Sequence, residues 1–474
     1  MVFNSPVFAV FLIIVFTLYW FVFNKNVKLQ NLFIVIASYF FYGWWDWRFL
    51  SLLFISSIVD FSTAWYMNQT ADQRKRKILL AISLITNLGM LGVFKYYDFF
   101  ITSFTNAFAT FGIQLNANTL NIILPVGISF YTFQTLSYTI EVFRKNLAPT
   151  KDFIAFSAFI SFFPQLVAGP IERATRLLPQ FYKPRIFNFR MASSGLQLML
   201  WGFFKKIVIA DNLSGYVDTV YNDPQNFHGI PVVISTICFA IQIYCDFSGY
   251  SDIAIGCARL FGFDLMKNFD APYFSTSPKE FWRRWHISLS TWFRDYVYVP
   301  LGGNRSTFGR VQFNLMLTFL VSGLWHGANW TFLIWGGLHG AAVCLENIFD
   351  HRKIKLHLNK YVAGSLLFLF VCFVWIFFRA SNIEEAWMLI GNIFHSSSMA
   401  EWQAMFNIKS KLQETWPSLI LFILLEILIR KTKARNFFSN RSTTIRWACY
   451  YGIIIWILIF GALNNPPSFI YFQF

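Results

Sequence analysis

Long apolar stretches recur along almost the whole chain, and they constrain its fold more than any other feature. The first covers residues 7–23, and the first charged residue of the sequence is Lys25. Of the 474 residues, 56% are hydrophobic and only 13% are charged, whereas soluble domains carry about 25% charged residues. Roughly 20 apolar residues in a helix cross the core of a bilayer. The sequence therefore predicts an all-α, polytopic integral membrane protein, and it excludes a soluble enzyme or a disordered chain.

The number of these stretches predicts about eleven or more membrane helices, within a single membrane-embedded domain that covers residues 1–474. Several stretches are shorter than a crossing requires or contain proline, so we expect re-entrant and amphipathic helices as well. Residues 261–310 are weakly hydrophobic and hold the densest mixture of charged, aromatic and turn residues. Function is expected to concentrate there and in the apolar stretch that follows.

The net charge of +16 comes from 39 lysines and arginines against 23 acidic residues. These cations lie between apolar stretches, as the positive-inside rule requires, and not on one continuous soluble face. We therefore predict contact with membrane lipid and no binding of nucleic acid. The loops at residues 25–28, 74–77 and 430–446 are predicted to be cytoplasmic, which places the N-terminus and residues 464–474 on the opposite side.

No metal site is predicted, because the seven histidines and six cysteines show no metal-ligand spacing. His326 is the exceptional histidine, since it lies in an apolar stretch that covers residues 311–345. An ionisable group at membrane depth indicates a functional role, and histidine suits general base catalysis near neutral pH. Gly323 and Gly327 leave room for a ligand or another backbone to approach the ring. The alternative is a neutral imidazole that hydrogen-bonds a neighbouring helix. His339 is interpreted as a structural residue.

His286 is the second candidate, and it lies in a run of tryptophans and arginines between residues 280 and 295. At 100° per residue this run predicts one amphipathic helix with four apolar residues on one stripe, Trp282, Trp285, Leu289 and Trp292. Arg283 and Arg284 would then contact water, headgroups or an anionic, phosphate-bearing donor. Two interpretations stay open: an interfacial anchor, or a site in which His286 faces inward.

Two carboxylates, those of Asp246 and Asp252, lie within another apolar stretch, residues 230–255. We predict that they form buried ion pairs with Arg283 or Arg284, which would hold the amphipathic helix against the core. The alternative is a direct role of the two carboxylates in proton transfer.

Five motifs occur in order along the chain: VAGPIER (167–173), YCDFSGYSDIAIG (244–256), FWRRWHISLSTWFRDYVYVPLGGNR (281–305), LWHGANWTFLIWGGLHG (324–340) and the terminal FIYFQF. Together they resemble the membrane-bound O-acyltransferase family, and within it the alginate O-acetyltransferase type. The resemblance covers roughly residues 120–345, the core motifs, and the C-terminus. Agreement over several long motifs is far more specific than a single histidine.

The resemblance implies a ring of membrane helices around a thin, funnel-shaped core. His326, in the WHG motif, matches the family's catalytic histidine, and His286, in RRWH, matches its second functional histidine. Family members take an acyl group from a cytoplasmic thioester such as acetyl-CoA, and no tightly bound cofactor is implied. They deliver it to a hydroxyl across the membrane, often with a periplasmic serine-hydrolase-like acetyltransferase as partner.

The same resemblance implies a bacterial inner-membrane enzyme that O-acetylates an exported polysaccharide such as alginate. D-alanyl transfer or peptidoglycan O-acyl transfer by the same mechanism are alternatives within the family.

Acyl transfer needs a base for the attacking hydroxyl and a donor for the developing oxyanion. We predict His326 as the base and His286, Asn329 or Trp285 as the oxyanion donor, with Trp325 in a supporting role. A water-poor core would suppress hydrolysis of the activated acyl group. The alternative from another class is a transporter or flippase that uses the histidines and aspartates for proton coupling.

Overall fold

The structure is a computed structural model that describes residues 1–115, 118–120, 122–167, 169–354, 357–405, 412–431, 442–463, 467, 469 and 470. These residues form helices and connecting segments, and no β-strand occurs among them. Within the same ranges, six helical segments are long and apolar enough to cross a membrane, and shorter apolar helices accompany them. The prediction of an all-α, polytopic membrane protein is confirmed, whereas the number of crossings stays a prediction.

The α-helices of the described residues are, in chain order, α1 (Pro6–Thr17), α2 (Val27–Gly43), α3 (Leu50–Gln69), α4 (Gln73–Leu91), α5 (Tyr97–Ala109), α6 (Ile128–Phe143), α7 (Phe153–Ser161), α8 (Phe163–Leu166), α9 (Ala174–Leu177), α10 (Phe189–Phe203), α11 (Asp211–Tyr221), α12 (Ile230–Leu260), α13 (Pro278–Arg284), α14 (Ile287–Phe293), α15 (Phe308–His326), α16 (Trp330–His351), α17 (Lys360–Arg379), α18 (Ile383–Asn392), α19 (Met399–Met405), α20 (Leu412–Lys431) and α21 (Thr443–Phe460). Among the π-helical segments, Leu18–Val22 continues α1 and Phe204–Ala210 joins α10 to α11.

Contacts divide the chain into two units, which are described separately. The first unit comprises Met1–Gln197 and Ala254–Met266, and the second comprises Leu198–Ile253 and Lys267–Phe474. Most of the predicted cytoplasmic loop at residues 430–446, and most of the predicted tail at residues 464–474, lies outside the described residues. The single domain over residues 1–474 stays a prediction.

In the first unit, a buried carboxylate joins three helices. Asp60 on α3 accepts hydrogen bonds from Ser83 and from Asn87 Nδ2, at 2.9 Å, on α4. Thr139 Oγ1 on α6 donates to the same carboxylate at 3.1 Å. Ser56 Oγ donates to Asn87 Oδ1 at 2.6 Å, which extends the network. Unsatisfied polar groups are costly in hydrocarbon, so these hydrogen bonds fix the positions of α3, α4 and α6 relative to one another.

We expect Asp60→Ala to lower the free energy of unfolding by about 2–4 kcal/mol, since it leaves several buried donors without an acceptor. Thermal unfolding in detergent, followed by tryptophan fluorescence, measures the change. Asp264→Ala is the matched control in the same unit: it breaks an exposed ion pair to Arg176 at 2.9 Å, so its expected cost is below about 1 kcal/mol. Equal stability of the two variants would contradict the structural role of Asp60.

The basic run at residues 74–77 was predicted as a loop, but it lies in the first turns of α4. One of its arginines binds the ends of two other helices. Arg76 is buried, and its guanidinium donates to the carbonyl of Met67 near the end of α3. It also donates to the carbonyls of Val142, at 3.1 Å, and Phe143, at 2.9 Å, at the end of α6. The last carbonyls of a helix have no partner within the helix, so one arginine of α4 binds two helix ends while it contributes to the positive charge of the run at residues 74–77.

In the second unit, α16 packs along α15, and it also contacts α13 and α17. The π-helical segment Phe204–Ala210 packs against α11, α20 and α21. These contacts bring the end of α15 and the segment between α13 and α14 into one region.

Candidate active site

His326 is the last residue of α15, and the chain leaves the helical path there before α16 begins at Trp330. The apolar stretch at residues 311–345 is thus two helices with a break beside the histidine. His326 is 5% exposed. Its ring lies 4.9 Å from that of Trp335 and 5.6 Å from that of Phe378, centroid to centroid, and both rings are T-shaped to it. The imidazole is therefore oriented by aromatic packing.

The glycines around His326 serve the close approach of α15 and α16. A β-carbon at Gly323 would lie 2.3 Å from the carbonyl oxygen of Phe332, and one at Gly336 would lie 2.4 Å from that of Phe319. A β-carbon at Gly327 would lie 2.0 Å from the ring of Phe332. The space at Gly323 and Gly327 was predicted to admit either a ligand or another backbone. In the structure, protein atoms of α16 occupy it.

We expect Gly336→Ala to lower the acyl-transfer activity that the motifs imply at least tenfold, because the added methyl forces α16 away from α15 and shifts His326. Gly337→Ala is a matched control on the neighbouring residue, where a β-carbon would make only an ordinary contact of 3.6 Å with Leu320. Both changes raise the helix propensity of α16 equally. Activity and the amount of folded protein in membranes are measured for both, and equal losses would contradict the packing argument.

His286 lies between two short helices, so the prediction of one amphipathic helix over residues 280–295 was wrong. Helix α13 ends at Arg284 and α14 begins at Ile287. The backbone of His286 is left-handed, with φ of +41°, a conformation that costs a non-glycine residue about 1–2 kcal/mol. The amide of Ile287 donates to the carbonyl of Asn268 at 2.8 Å instead of to a helical carbonyl.

Asn268 also fixes the ring of His286. Its Oδ1 accepts from Ser288 N at 3.3 Å and from Ser288 Oγ at 2.8 Å, and it lies 3.1 Å from His286 Nδ1. Its Nδ2 donates to Ser251 Oγ on α12 at 3.0 Å. The backbone donor of Ser288 identifies Oδ1 as the acceptor, so His286 Nδ1 must donate to it. The neutral ring then carries its lone pair on Nε2.

The structure brings the two predicted histidines together. The ring centroids of His286 and His326 are 6.5 Å apart, and His286 is 2% exposed. The planes of the two rings are inclined at 57° to each other. His326 therefore faces a second ionisable side chain as well as aromatic rings, which is the arrangement that proton transfer requires.

The two other predicted oxyanion donors, Asn329 and Trp285, are engaged elsewhere. Asn329 is the N-cap of α16: its Oδ1 accepts from Thr331 N at 3.1 Å, and its Nδ2 donates to the carbonyl of Ser381 at 2.7 Å. Trp285 is buried and packs against aromatic rings, and Trp325 is half-buried in the last turn of α15. These contacts favour structural roles for Asn329 and Trp285 and leave His286 as the partner of His326, whereas the supporting role of Trp325 stays a prediction.

The carboxylates of α12 pair with two lysines of the π-helical segment Phe204–Ala210. Lys205 Nζ lies 2.6 Å from Asp252 Oδ2. Lys206 Nζ lies 2.9 Å from Asp246 Oδ1 and 2.6 Å from Asp211 Oδ1. Sequence reasoning missed both lysines, although two ionisable residues inside an apolar stretch give the same signal that identified His326.

The prediction that Asp246 and Asp252 pair with Arg283 or Arg284 was therefore wrong. Arg284 Nη2 binds Glu280 Oε1 at 2.6 Å, and Arg283 is exposed. Partial burial acts to raise the pKa of Glu280, but hydrogen bonds from Thr276 and from the Arg284 guanidinium hold it below its usual value. The arginines thus remain near the surface of α13.

Asp246 also anchors the C-terminal motif. Its Oδ2 accepts from Ile470 N at 2.8 Å, and the ring of Phe469 lies 4.4 Å from that of Tyr250 and 5.8 Å from that of Phe247. The ring of Phe247 in turn lies 4.6 Å from that of His286. Phe469 and Ile470 thus pack behind Phe247, the residue whose ring contacts that of His286. Across the described ranges, no cluster of three or more His, Cys, Asp or Glu side chains could hold a metal ion.

Comparison with known proteins identifies the family. Residues 141–387 match the family model for the membrane-bound O-acyltransferase family, and this range contains both histidines. The peptidoglycan O-acetyltransferase of Helicobacter pylori is 37% identical over 417 residues, which cover 81% of this chain and 78% of that protein. The chain belongs to the membrane-bound O-acyltransferase family. It is therefore an O-acyltransferase embedded in a membrane.

Other members of the family are also similar. A protein of Azotobacter vinelandii named "Probable alginate O-acetylase AlgI" is 37% identical over 454 residues, which cover 94% of this chain and 87% of that protein. The teichoic acid D-alanyltransferase of Streptococcus thermophilus is 28% identical over 256 residues, which cover 50% of this chain and 60% of that protein. The resemblance seen in the five motifs is thus confirmed, and family membership favours acyl transfer over the transport alternative.

Proposed function

We propose that this O-acyltransferase moves acetyl from a cytoplasmic thioester donor, acetyl-CoA or a related acyl thioester, to an exported polysaccharide such as alginate. The observation that carries the proposal is the pair of buried histidines, His286 and His326, with ring centroids 6.5 Å apart. Similarity to the alginate O-acetylase of Azotobacter vinelandii, over 94% of this chain, favours an exported polysaccharide as the acceptor.

In the proposed reaction, His326 removes the proton of the attacking hydroxyl. The hydroxyl oxygen bonds to the thioester carbonyl carbon, the carbon–sulfur bond breaks, and the leaving thiolate takes up the proton from His326. The single hydroxyl proton goes to His326, while the ring of His286 is held by the hydrogen bond from its Nδ1 to Asn268 Oδ1. A neutral His286 has no proton on Nε2, so it donates to the oxyanion only when it is protonated.

The setting of the reaction is part of the proposal. We place the enzyme in the bacterial inner membrane with its N-terminus on the non-cytoplasmic side, since the basic segments at residues 25–28 and 74–77 favour the cytoplasm. A periplasmic serine-hydrolase-like acetyltransferase would receive the acetyl group when transfer to the polysaccharide is indirect. A second candidate acceptor is peptidoglycan, because the Helicobacter pylori relative at 37% identity carries that activity in its name. D-alanyl transfer has the weaker support of a relative at 28% identity.

Mass spectrometry of exported polysaccharide and of peptidoglycan tests the acceptor. Cells that lack the chain are compared with cells that regain it and with cells that regain the His326→Gln variant. The proposal expects O-acetyl groups on the polysaccharide only with the unaltered chain. Acetyl loss confined to peptidoglycan would support the second candidate, and unchanged acetylation of both polymers would overturn the proposal. Thioester cleavage by purified protein in liposomes, with and without acceptor, tests the donor independently.

A further inference from the structure

The first unit contains a cleft of about 380 Å³ to which the proposed reaction assigns no role. This volume lies within the range of roughly 300–1,000 Å³ that is usual for ligand sites. The lining combines apolar residues with one cation and one amide. It comprises Phe16, Trp20, Phe21 and Asn24 at the end of the first helical segment, and Arg185, Ile186 and Phe187 just before α10.

Arg185 brings an uncompensated positive charge to this cleft. Its Nε donates to Gln30 Oε1 at 2.9 Å and its Nη2 donates to Asn31 Oδ1 at 2.6 Å, and both acceptors are neutral amides. In the part of the chain that the structure describes, no carboxylate lies within ion-pair distance of Arg185, and its Nη1 has no hydrogen-bond partner. The guanidinium lies half-buried, 4.9 Å from the ring centroid of Phe263. A partly desolvated cation of this kind favours an anionic ligand.

The walls of the cleft suit a hydrocarbon chain. The ring of Phe187 lies 5.4 Å from that of Trp20 and 6.1 Å from that of Phe16. Beside them, Phe21 is 77% exposed and Ile186 is 85% exposed. Adjacent exposed apolar side chains of this size indicate contact with a membrane or a ligand.

The surroundings carry further positive charge. Lys25 and Lys28 follow the first helical segment, and Lys183 and Arg190 flank the other wall, all four exposed. The positive-inside rule places such residues at the cytoplasmic leaflet, where anionic lipids produce a negative surface potential. Charge and apolar surface thus lie side by side around the cleft, as phosphate and acyl chain do in a lipid.

We infer that the cleft binds one anionic phospholipid, with its phosphate near Arg185 and one acyl chain along Trp20 and Phe187. This inference does not depend on the acyl donor or acceptor. The lipid would act as a structural ligand of the first unit, because it neutralises the guanidinium that Gln30 and Asn31 hold in place.

Native mass spectrometry of the purified protein tests the inference. The protein is mixed with phosphatidylglycerol or with phosphatidylcholine of the same acyl chains, and the lipid retained per protein is counted. We expect preferential retention of phosphatidylglycerol. Asn24→Asp places a negative charge in the cleft at an exposed position and should weaken that retention about fivefold or more, at about 1 kcal/mol per charge. Gln73→Glu adds the same charge at the exposed start of α4 and should change retention less than twofold.

Arg185→Gln is a second variant, with the same expected loss of retention, but it also alters bonds to Gln30 and Asn31. Asn24→Asp is therefore the decisive change. Equal retention of the two lipids, or equal effects of Asn24→Asp and Gln73→Glu, would overturn the inference. Inorganic phosphate is added as a competitor: if it displaces phosphatidylglycerol completely, the cleft is a site for a soluble anion and the lipid assignment fails.

Discussion

Acyl transfer by the His326→Gln variant is expected to fall by about 10²- to 10⁴-fold, the usual contribution of a positioned general base. Glutamine approximates the size of imidazole and can still form hydrogen bonds, but it cannot take up a proton near neutral pH. The contacts of the ring with Trp335 and Phe378 are largely apolar, so the variant should fold. The loss should therefore appear in kcat, with membrane insertion and thermal stability close to those of the unaltered protein.

His339→Gln is the matched control for this result. The ring of His339 lies 5.0 Å from that of Trp335 and 5.0 Å from that of Trp282. Both histidines are buried and both contact Trp335, yet His326 is the one that faces His286. We expect His339→Gln to retain transfer within about tenfold of the unaltered rate, a smaller loss than removal of a general base causes. Equal loss in the two variants, or full activity of His326→Gln, would refute the assignment of His326.

The sequence predicted the two histidines but not the geometry that joins them. His326 was identifiable because an ionisable side chain in an apolar stretch is energetically costly and therefore indicates a function. The motifs pointed to His286 as well. The break before α14 was not identifiable from periodicity, since four apolar residues fit one helical stripe, Trp282, Trp285, Leu289 and Trp292. The left-handed backbone of His286 depends on Asn268, which lies eighteen positions earlier in sequence. Such a long-range hydrogen bond leaves no periodic pattern.

In the fold as well, the helices could be predicted from local sequence, whereas the ion-pair partners could not. Apolar stretches predict helices because each satisfies its own backbone hydrogen bonds, and the all-α prediction was confirmed. Ion-pair partners depend on which helices pack together, and the choice of Arg283 or Arg284 for the carboxylates of α12 was wrong. Those arginines are close to the aspartates in the motif order, whereas Lys205 and Lys206 belong to a segment that no motif includes.

Lys206→Met is expected to lower the free energy of unfolding by about 3–5 kcal/mol, because it leaves two buried carboxylates without a cation. Lys206 is 1% exposed at its side chain and lies 2.6 Å from Asp211 and 2.9 Å from Asp246. Methionine preserves the length and apolar stem of lysine, so packing changes little. A fall of the unfolding temperature on the order of 5–10 °C, measured by tryptophan fluorescence in detergent, corresponds to this cost.

Lys267→Met is the control, because it removes the same charge from an exposed ion pair with Asp270 in the same unit, at an expected cost below about 1 kcal/mol. Combining Lys206→Met with Asp211→Asn and Asp246→Asn removes the buried charges together, and the amide oxygen introduced by Asp246→Asn can still accept from the backbone of Ile470. We expect the combined variant to recover at least half of the lost stability. If it is no more stable than Lys206→Met alone, the cost arises from packing around the lysine, and the ion pairs are not what holds α11 and α12 to the π-helical segment.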